Sequence, residues 1–131
     1  EKKERRFQLL SYAARVQEVR KVFQKWIRER DKDKPCISCG HFSDNIHAGH
    51  FYKAEIYSGL IFVEINCNSQ CVKCNVYLGG NESQYRIGLV NKYGEDAVKN
   101  LEELSVTSRI KKYSDEELIQ LINKYKLPNL K

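Results

Sequence analysis

The stretch of sequence that decides the fold is "CNSQCVKCNVYLGGNE", residues 67–82. It holds three of the chain's five cysteines, of which Cys71 and Cys74 form a C-x2-C pair. Asn75 follows this pair directly, in a segment that is predicted to be a short helix ended by two glycines. The cysteine pair is typical of half a metal site. The asparagine needs a separate chemical explanation.

A second C-x2-C pair, Cys36 and Cys39, lies in "CISC", and 31 residues separate the two pairs. Two such pairs favour one structural Zn²⁺ with four thiolate ligands, because each tight turn can supply two of them. A disulfide framework is disfavoured in a Lys/Glu-rich chain without an export signal, and a redox C-x-x-C motif normally occurs once. We therefore predict that Cys36, Cys39, Cys71 and Cys74 bind zinc, and we interpret Cys67 as a small apolar strand residue.

The charge of the chain is unevenly distributed. Its formal net charge is +6, and residues 1–34 account for all of it, with twelve Lys/Arg against six Asp/Glu, whereas residues 35–131 hold eleven of each. A basic segment beside a compact domain indicates a polyanionic partner, with nucleic acid first, and a solvated helix face is the alternative. No apolar run is long enough to cross a bilayer, so no membrane partner is expected.

We predict an α+β fold in three parts: a basic amphipathic helical arm (residues 1–34), a zinc-stabilised core (35–80) and a C-terminal helical extension (81–131). Apolar residues that recur every three or four positions predict one long helix over residues 4–31. Its apolar seam must pack on the rest of the chain or on a second copy.

The core is predicted to contain two strands, residues 46–52 and 60–66, joined by a loop. The zinc then clamps the first cysteine turn to the start of the helix after the second one. This places the strand with His50 beside the helix with Asn75.

The C-terminal extension carries two sequence patterns of helix capping boxes. Asn81 with Gln84 predicts the start of a helix that runs to about residue 93, where Gly94 ends it. "EDAVKNLEEL" predicts a further helix, and Ser114 with Glu117 predicts the start of the last one.

A hairpin packed on a helix, with histidine on the first strand and asparagine on the helix, is the ββα-metal arrangement of HNH-type (His-Me finger) nucleases. A neutral histidine can accept a proton from the water that attacks a phosphodiester. A hard divalent cation, Mg²⁺ or Mn²⁺, polarises the phosphate and takes oxygen ligands such as a side-chain amide. The sequence therefore predicts His50 as the general base and Asn75 as a ligand of a catalytic metal.

Four segments, "RERDKDKPCISCG", "HAGHFY", "INCNSQCVKCNVYLGGNESQYRIGLV" and "KKYSDEELIQLI", together resemble the phage NinG/Rap recombination-protein family. The match is most specific from Arg28 to Val90. The resemblance implies an endonuclease that acts on branched DNA, such as Holliday junctions and D-loops, in the cytoplasm of a bacterial host.

The zinc-and-asparagine core is also similar to that of phage endonuclease VII. This resemblance implies the same roles for His50, for Asn75 and for the four zinc cysteines. The chain departs from the pattern at Gly49, because many such enzymes carry a metal-binding Asp or His just before the base. A strand bulge would let His47 take that place, and Asp44 or a water are the alternatives.

Asn66 lies where the middle asparagine of the HNH pattern often falls. We expect it to fix the hairpin turn or to orient His50 by hydrogen bonding, and the alternative is a strand-end residue that satisfies the local backbone. A C2H2 zinc finger that uses His47 and His50 is disfavoured, because its spacing is too short and it leaves two cysteines without a role.

Several basic and aromatic residues are candidate DNA contacts, each with an ordinary surface position as the alternative. They are Arg28, Arg30, Lys32, Lys34, Lys53, Tyr85 and Arg86.

Three functions remain open at this point. The first is a structure-selective endonuclease, and symmetric cutting of a four-way junction then requires a homodimer, with the N-terminal helix as a candidate interface. The second is a non-catalytic, zinc-ribbon-like DNA-binding accessory module of recombination. The third is a redox dithiol protein, which predicts zinc-free thiols of low pKa.

Overall fold

The computed structural model describes residues 2–128 and confirms the α+β class, with helices around a small two-stranded sheet. The helices are α1 (Lys2–Gln8), α2 (Tyr12–Arg30), α3 (Glu82–Tyr93), α4 (Glu95–Thr107) and α5 (Asp115–Tyr125), and the strands are β1 (Ile46–His50) and β2 (Cys67–Cys71). Short helical turns lie at Ser58–Leu60, Glu64–Asn66 and Lys73–Tyr77. Among the helices within residues 2–128, none combines the length and apolar character of a membrane span.

The single N-terminal helix predicted over residues 4–31 is wrong, because the chain forms α1 and α2 instead. Ser11 has an extended backbone (φ −63°, ψ 161°), and its hydroxyl accepts a hydrogen bond from the Ala14 amide at 3.2 Å. Serine is a favoured N-cap because it satisfies one of the free amides in the first turn. A local cap therefore starts a new helix inside a continuous amphipathic pattern.

The apolar seam of α2 packs within the chain. Val19, Phe23 and Ile27 are fully buried and belong to one core with residues of α5 and of the segment before β2. The Tyr125 ring of α5 contacts the Phe23 and Trp26 rings edge-on, with centroid separations of 4.8 and 4.9 Å. The helix face that the sequence offered as a dimer interface is therefore covered by the protein's own core.

The first predicted strand is confirmed as β1, whereas the second, residues 60–66, is wrong. That segment forms 3₁₀ turns, and the strand that pairs with β1 is the cysteine-bearing β2, antiparallel, with His50 opposite Cys67. Leu60 and Ile61 remain buried in the core. A short continuous apolar run shows that a segment is buried but does not distinguish a strand from buried turns.

The C-terminal predictions are confirmed except for the first capping box. Ser114 and Glu117 exchange the two expected hydrogen bonds, at 2.9 and 3.1 Å. Asn81 adopts a left-handed conformation (φ 46°) and caps α3 without a side-chain hydrogen bond. Its side-chain amide instead donates to Cys74 Sγ at 3.5 Å. The contact with a cysteine replaces the predicted pairing with Gln84.

Candidate functional site

Four cysteines form a metal-binding cluster. The sulfur atoms of Cys36, Cys39, Cys71 and Cys74 all lie within 4.8 Å of one another, and the Cys39 and Cys71 sulfurs are 3.8 Å apart. Four sulfurs at about 2.3 Å from a central zinc lie about 3.8 Å from one another in a regular tetrahedron. The cluster therefore fits one zinc ion, as the sequence predicted. A redox dithiol would need only one of the two pairs, so this arrangement disfavours that function.

Cys67 lies outside this cluster. It is fully buried in β2, and burial raises the pKa of its thiol to about 12. This confirms its interpretation as an apolar strand residue, because a thiol with that pKa remains protonated and unreactive.

His50 ends β1 and is buried beneath α2. Its ring lies 6.5 Å from the Phe23 ring at an interplanar angle of 29°. Its Nε2 is 2.8 Å from the carbonyl oxygen of Ile61. A carbonyl only accepts hydrogen bonds, so Nε2 carries the proton and Nδ1 keeps a free lone pair. Burial lowers the pKa of His50 to about 4, so the ring is neutral at pH 7.

Asn75 lies in the turn Lys73–Tyr77, where it contacts His47. Its side-chain nitrogen donates to His47 Nδ1 at 2.9 Å. Its side-chain oxygen faces Gly49 and lies 3.0 Å from the point where a β-carbon at position 49 would be. Asp44, the other candidate ligand, is exposed in the bend before β1.

Gly49 makes room for a second side-chain oxygen. Gln70 Oε1 lies 2.1 Å from the same point, is buried, and has no hydrogen-bond partner within the described part of the chain. The amide nitrogen of Gln70 is held by Ser38 Oγ at 2.9 Å and by the Gly80 carbonyl at 2.6 Å. Two amide oxygens therefore occupy the space that a side chain at position 49 would fill. The Asp or His that the HNH pattern carries at this position would clash with both oxygens.

His50 and Asn75 line the same cavity, of about 150 Å³. Three charged residues, Arg20, Lys53 and Glu55, line it as well. The sequence predicted His50 and Asn75 as site residues and Lys53 as a candidate DNA contact. It did not identify Arg20 or Glu55, although Arg20 lies three positions before Phe23 and thus on the helix face that meets the core.

Asn66 is fully buried and joins the two ends of the loop after β1. Its side-chain oxygen accepts from the Tyr52 amide at 2.8 Å, and its nitrogen donates to the Tyr52 and Leu60 carbonyls, both at 3.0 Å. These bonds go to backbone groups and not to the His50 ring. Asn66 thus shapes the loop that carries the carbonyl partner of His50.

The predicted DNA contacts divide into buried, paired and exposed side chains. Tyr85 of α3 is fully buried, and its hydroxyl donates to the Gly49 carbonyl at 2.6 Å, so it supports β1. Arg86 forms ion pairs with Glu95 and Glu102, both in α4. Arg30 binds Asp31 and the Cys67 carbonyl, at 2.8 and 2.9 Å.

Four predicted contacts remain at or near the surface. Lys53 donates to the Gly79 carbonyl at 3.1 Å and lines the cavity. Arg28, Lys32 and Lys34 are exposed around the end of α2, close in sequence to the first cysteine pair.

Comparison with known proteins identifies the family. The sequence profile of a family described as "Bacteriophage Lambda NinG protein" matches residues 1–131. Curated relatives named "Protein ninG" include those of Escherichia phage 933W, 40% identical over 88 residues, and of Escherichia phage lambda and Salmonella phage P22, each 39% identical over 88 residues. These alignments cover 66% of this chain and 43–44% of each relative, so the chain spans less than half the length of these relatives. No solved structure matches. The chain belongs to the NinG family of bacteriophage proteins.

Proposed function

We propose that this protein is a metal-dependent, structure-selective DNA endonuclease that hydrolyses phosphodiester bonds in branched recombination intermediates, such as Holliday junctions and D-loops, in the host cytoplasm. One observation carries the proposal: a neutral, buried histidine and an asparagine side chain line one cavity beside a four-cysteine cluster. We interpret β1, β2 and the turn Lys73–Tyr77 as a ββα-metal core, because they follow one another in that order.

The proposed general base is His50. Its proton on Nε2 is directed to the Ile61 carbonyl, which leaves Nδ1 to accept a proton from an attacking water. The Phe23 ring lies alongside the imidazole, with 6.5 Å between the ring centroids. Hydrolysis of this kind leaves 5′-phosphate and 3′-hydroxyl ends.

The residues around Gly49 fit a hard divalent cation, Mg²⁺ or Mn²⁺. Amide oxygens are suitable ligands for such ions, and Gln70 Oε1 is a buried acceptor without a donor in the described residues. Asn75 would hold the cation through its oxygen, with Gln70 or His47 beside it. When bound, the cation would polarise the phosphate and stabilise the leaving 3′ oxygen.

The proposed role of zinc is structural. Its four ligands come from the turn after α2, from the end of β2 and from the turn with Asn75. Zinc in the cluster would therefore hold the asparagine at a fixed position relative to β1.

Cleavage assays with matched variants test the proposal. Wild type, His50→Ala and Asn75→Ala are incubated with labelled four-way junction, duplex and single-stranded DNA, with or without added Mg²⁺ or Mn²⁺. His41→Ala is the control, because this exposed histidine lies on the first cysteine turn. Loss of a general base should slow cleavage by about 10²–10⁴-fold. Folded site variants that cleave as fast as wild type would refute the proposal.

The non-catalytic alternative has its own signature. The exposed Arg28, Lys32 and Lys34 would suffice for a module that only binds DNA. If the protein is such a module, wild type and His50→Ala should bind junctions with the same affinity, and wild type should cut none of them.

Symmetric cleavage of a four-way junction also needs two active-site cavities, one from each of two chains. We therefore propose a homodimer, to be tested by light scattering. Its interface would lie away from the seam of α2.

A further inference from the structure

Arg20 is a charged residue in an unexpectedly enclosed position. It lies on α2, three residues before Phe23, and it lines the cavity with His50 and Asn75. Its side chain is 20% exposed, so most of it is enclosed by the protein. A cation in a cavity with a candidate base and a candidate metal ligand requires an explanation beyond solubility.

The guanidinium of Arg20 is only partly bonded. One terminal nitrogen, Nη1, donates to Glu55 Oε2 at 3.2 Å. The Nε atom is buried and has no acceptor in the part of the chain that the structure describes. A buried donor without a partner costs folding free energy, and the cost is greater for a charged group. An unpaired buried donor therefore requires an explanation, and a ligand that completes the bonding is one.

The charges of the cavity indicate an anionic ligand. Two cations, Arg20 and Lys53, line it together with one carboxylate, Glu55. The Glu55 side chain is 70% exposed and lies on the turn after β1. It can therefore separate from Arg20 and be hydrated at a small cost in free energy. A guanidinium is planar and can donate two parallel hydrogen bonds to the oxygens of a phosphate as well as to those of a carboxylate.

We infer that Arg20 is the phosphate-binding group of this cavity and that Glu55 holds its guanidinium until a DNA phosphate replaces the carboxylate. The inference rests on the proposed function for the identity of the ligand, a phosphodiester. In this arrangement α2 contributes a residue that contacts substrate. Arg20 positions the phosphate and neutralises the charge that develops on its oxygens.

The first test measures phosphate binding without cleavage. The Nε–H resonance of Arg20 is assigned in ¹⁵N-labelled protein as the signal that Arg20→Lys removes. The protein is titrated with dimethyl phosphate at constant ionic strength, and then with a four-way junction without added divalent cation. We expect both ligands to shift this signal, and Glu55→Gln to lower the concentration needed several-fold. A signal that neither ligand moves would overturn the inference.

The second test measures cleavage by the same variants. Arg20→Ala should lower kcat by about 10²-fold, in the range for removal of one donor from a transition-state oxyanion, with KM changed less than threefold. Arg20→Lys keeps the charge and should recover part of the rate. Arg15→Lys is the control, because Arg15 lies on the same helix and pairs with Asp115 outside the cavity.

The two tests separate the two proposals. If wild type cleaves and Arg20→Ala cleaves equally fast, the inference about Arg20 fails while the endonuclease stands. If wild type cleaves no DNA with either cation, the endonuclease fails, and the Nε–H titration still decides whether Arg20 binds phosphate.

Discussion

At the scale of single residues, Gly49 shows how a missing side chain can create a site. Two amide oxygens, from Gln70 and Asn75, fill the space beside its α-carbon. The HNH pattern that the sequence resembles carries a metal-binding Asp or His at this position, whereas here two amide oxygens come from β2 and from the turn Lys73–Tyr77. Under the proposed function, these neighbouring elements would supply the oxygen ligands.

Gly49→Ala tests this arrangement. The new methyl group would lie 2.1 Å from Gln70 Oε1, and Gln70 is fully buried and held by two hydrogen bonds. We expect a loss of about 1–3 kcal/mol in the free energy of unfolding, as for overpacked cores, and slower cleavage as Asn75 is displaced. Urea titration measures the first effect. In a Gln70→Ala background the loss should be smaller, and equal losses in both backgrounds would contradict the steric explanation.

Residue-scale prediction from the sequence succeeded where spacing along the chain carried the information. The cysteine pairs predicted the cluster, and the position of Asn75 after Cys74 predicted its approach to β1. Gln70 and Arg20 could not be found in this way. Their roles depend on which face of β2 or α2 meets the cavity, and this follows from tertiary packing.

At the scale of elements, the four-cysteine cluster joins the turn after α2, the end of β2 and the turn Lys73–Tyr77. The turn Lys73–Tyr77 is short, and its apolar side chains Val76 and Tyr77 are 54% and 79% exposed. Burial of apolar surface therefore contributes little to its position. Zinc bound by Cys71 and Cys74 would therefore be an important restraint on the turn that carries Asn75.

Zinc removal should therefore unfold the core. Structural zinc contributes about 10–16 kcal/mol in small modules, against about 5–15 kcal/mol for the stability of a whole domain. We expect one zinc per chain by elemental analysis and loss of the cooperative thermal transition after chelation. Cys39→Ser removes an exposed ligand and should lose zinc, whereas Cys67→Ala leaves the cluster complete and should keep it. A chelated protein that still melts cooperatively at the wild-type temperature would contradict a structural role.

Element prediction from the sequence failed where local pattern and tertiary pairing disagree. The run at residues 60–66 has the composition of a strand, yet β1 pairs with the polar "CNSQC" of β2. β2 is buried along its whole length, and partners elsewhere in the chain bind several of its polar side-chain groups. Asn68, for example, accepts hydrogen bonds from Lys92 and Tyr93 at 2.7 and 2.8 Å. Such partners lie far away in the sequence and leave no local signal.

At the scale of the whole molecule, α2 connects His50, the sheet and the C-terminal helices. Its buried residues share a core with Leu118 and Tyr125 of α5 and with Ala48 of β1. A basic arm was predicted from the charge of residues 1–34. The structure adds that one face of this segment forms part of the core, so the helix and the site depend on each other.

The buried carboxylate of Asp31 bonds to residues of α2, β2 and α3. Its removal should therefore destabilise the whole domain. Asp31 is 1% exposed and accepts from Arg30, Lys92 and the Ser69 amide, at 2.8, 3.1 and 3.1 Å. Asp31→Asn leaves two cations without their counter-charge, so we expect a loss of about 3 kcal/mol, at the low end for a broken buried pair. Urea unfolding at pH 7 measures it, with the exposed Asp33→Asn as the control. Burial opposes ionisation of Asp31, but the Arg30 guanidinium, Lys92 and the Ser69 amide together outweigh it and lower the pKa of the carboxyl below its usual value. This stability is therefore complete above the pKa of the unfolded carboxyl and is lost as the pH falls through the folded one. The difference between wild type and Asp31→Asn should shrink in acid, and a difference that stays constant down to pH values at which wild type unfolds would show that charge is not its origin.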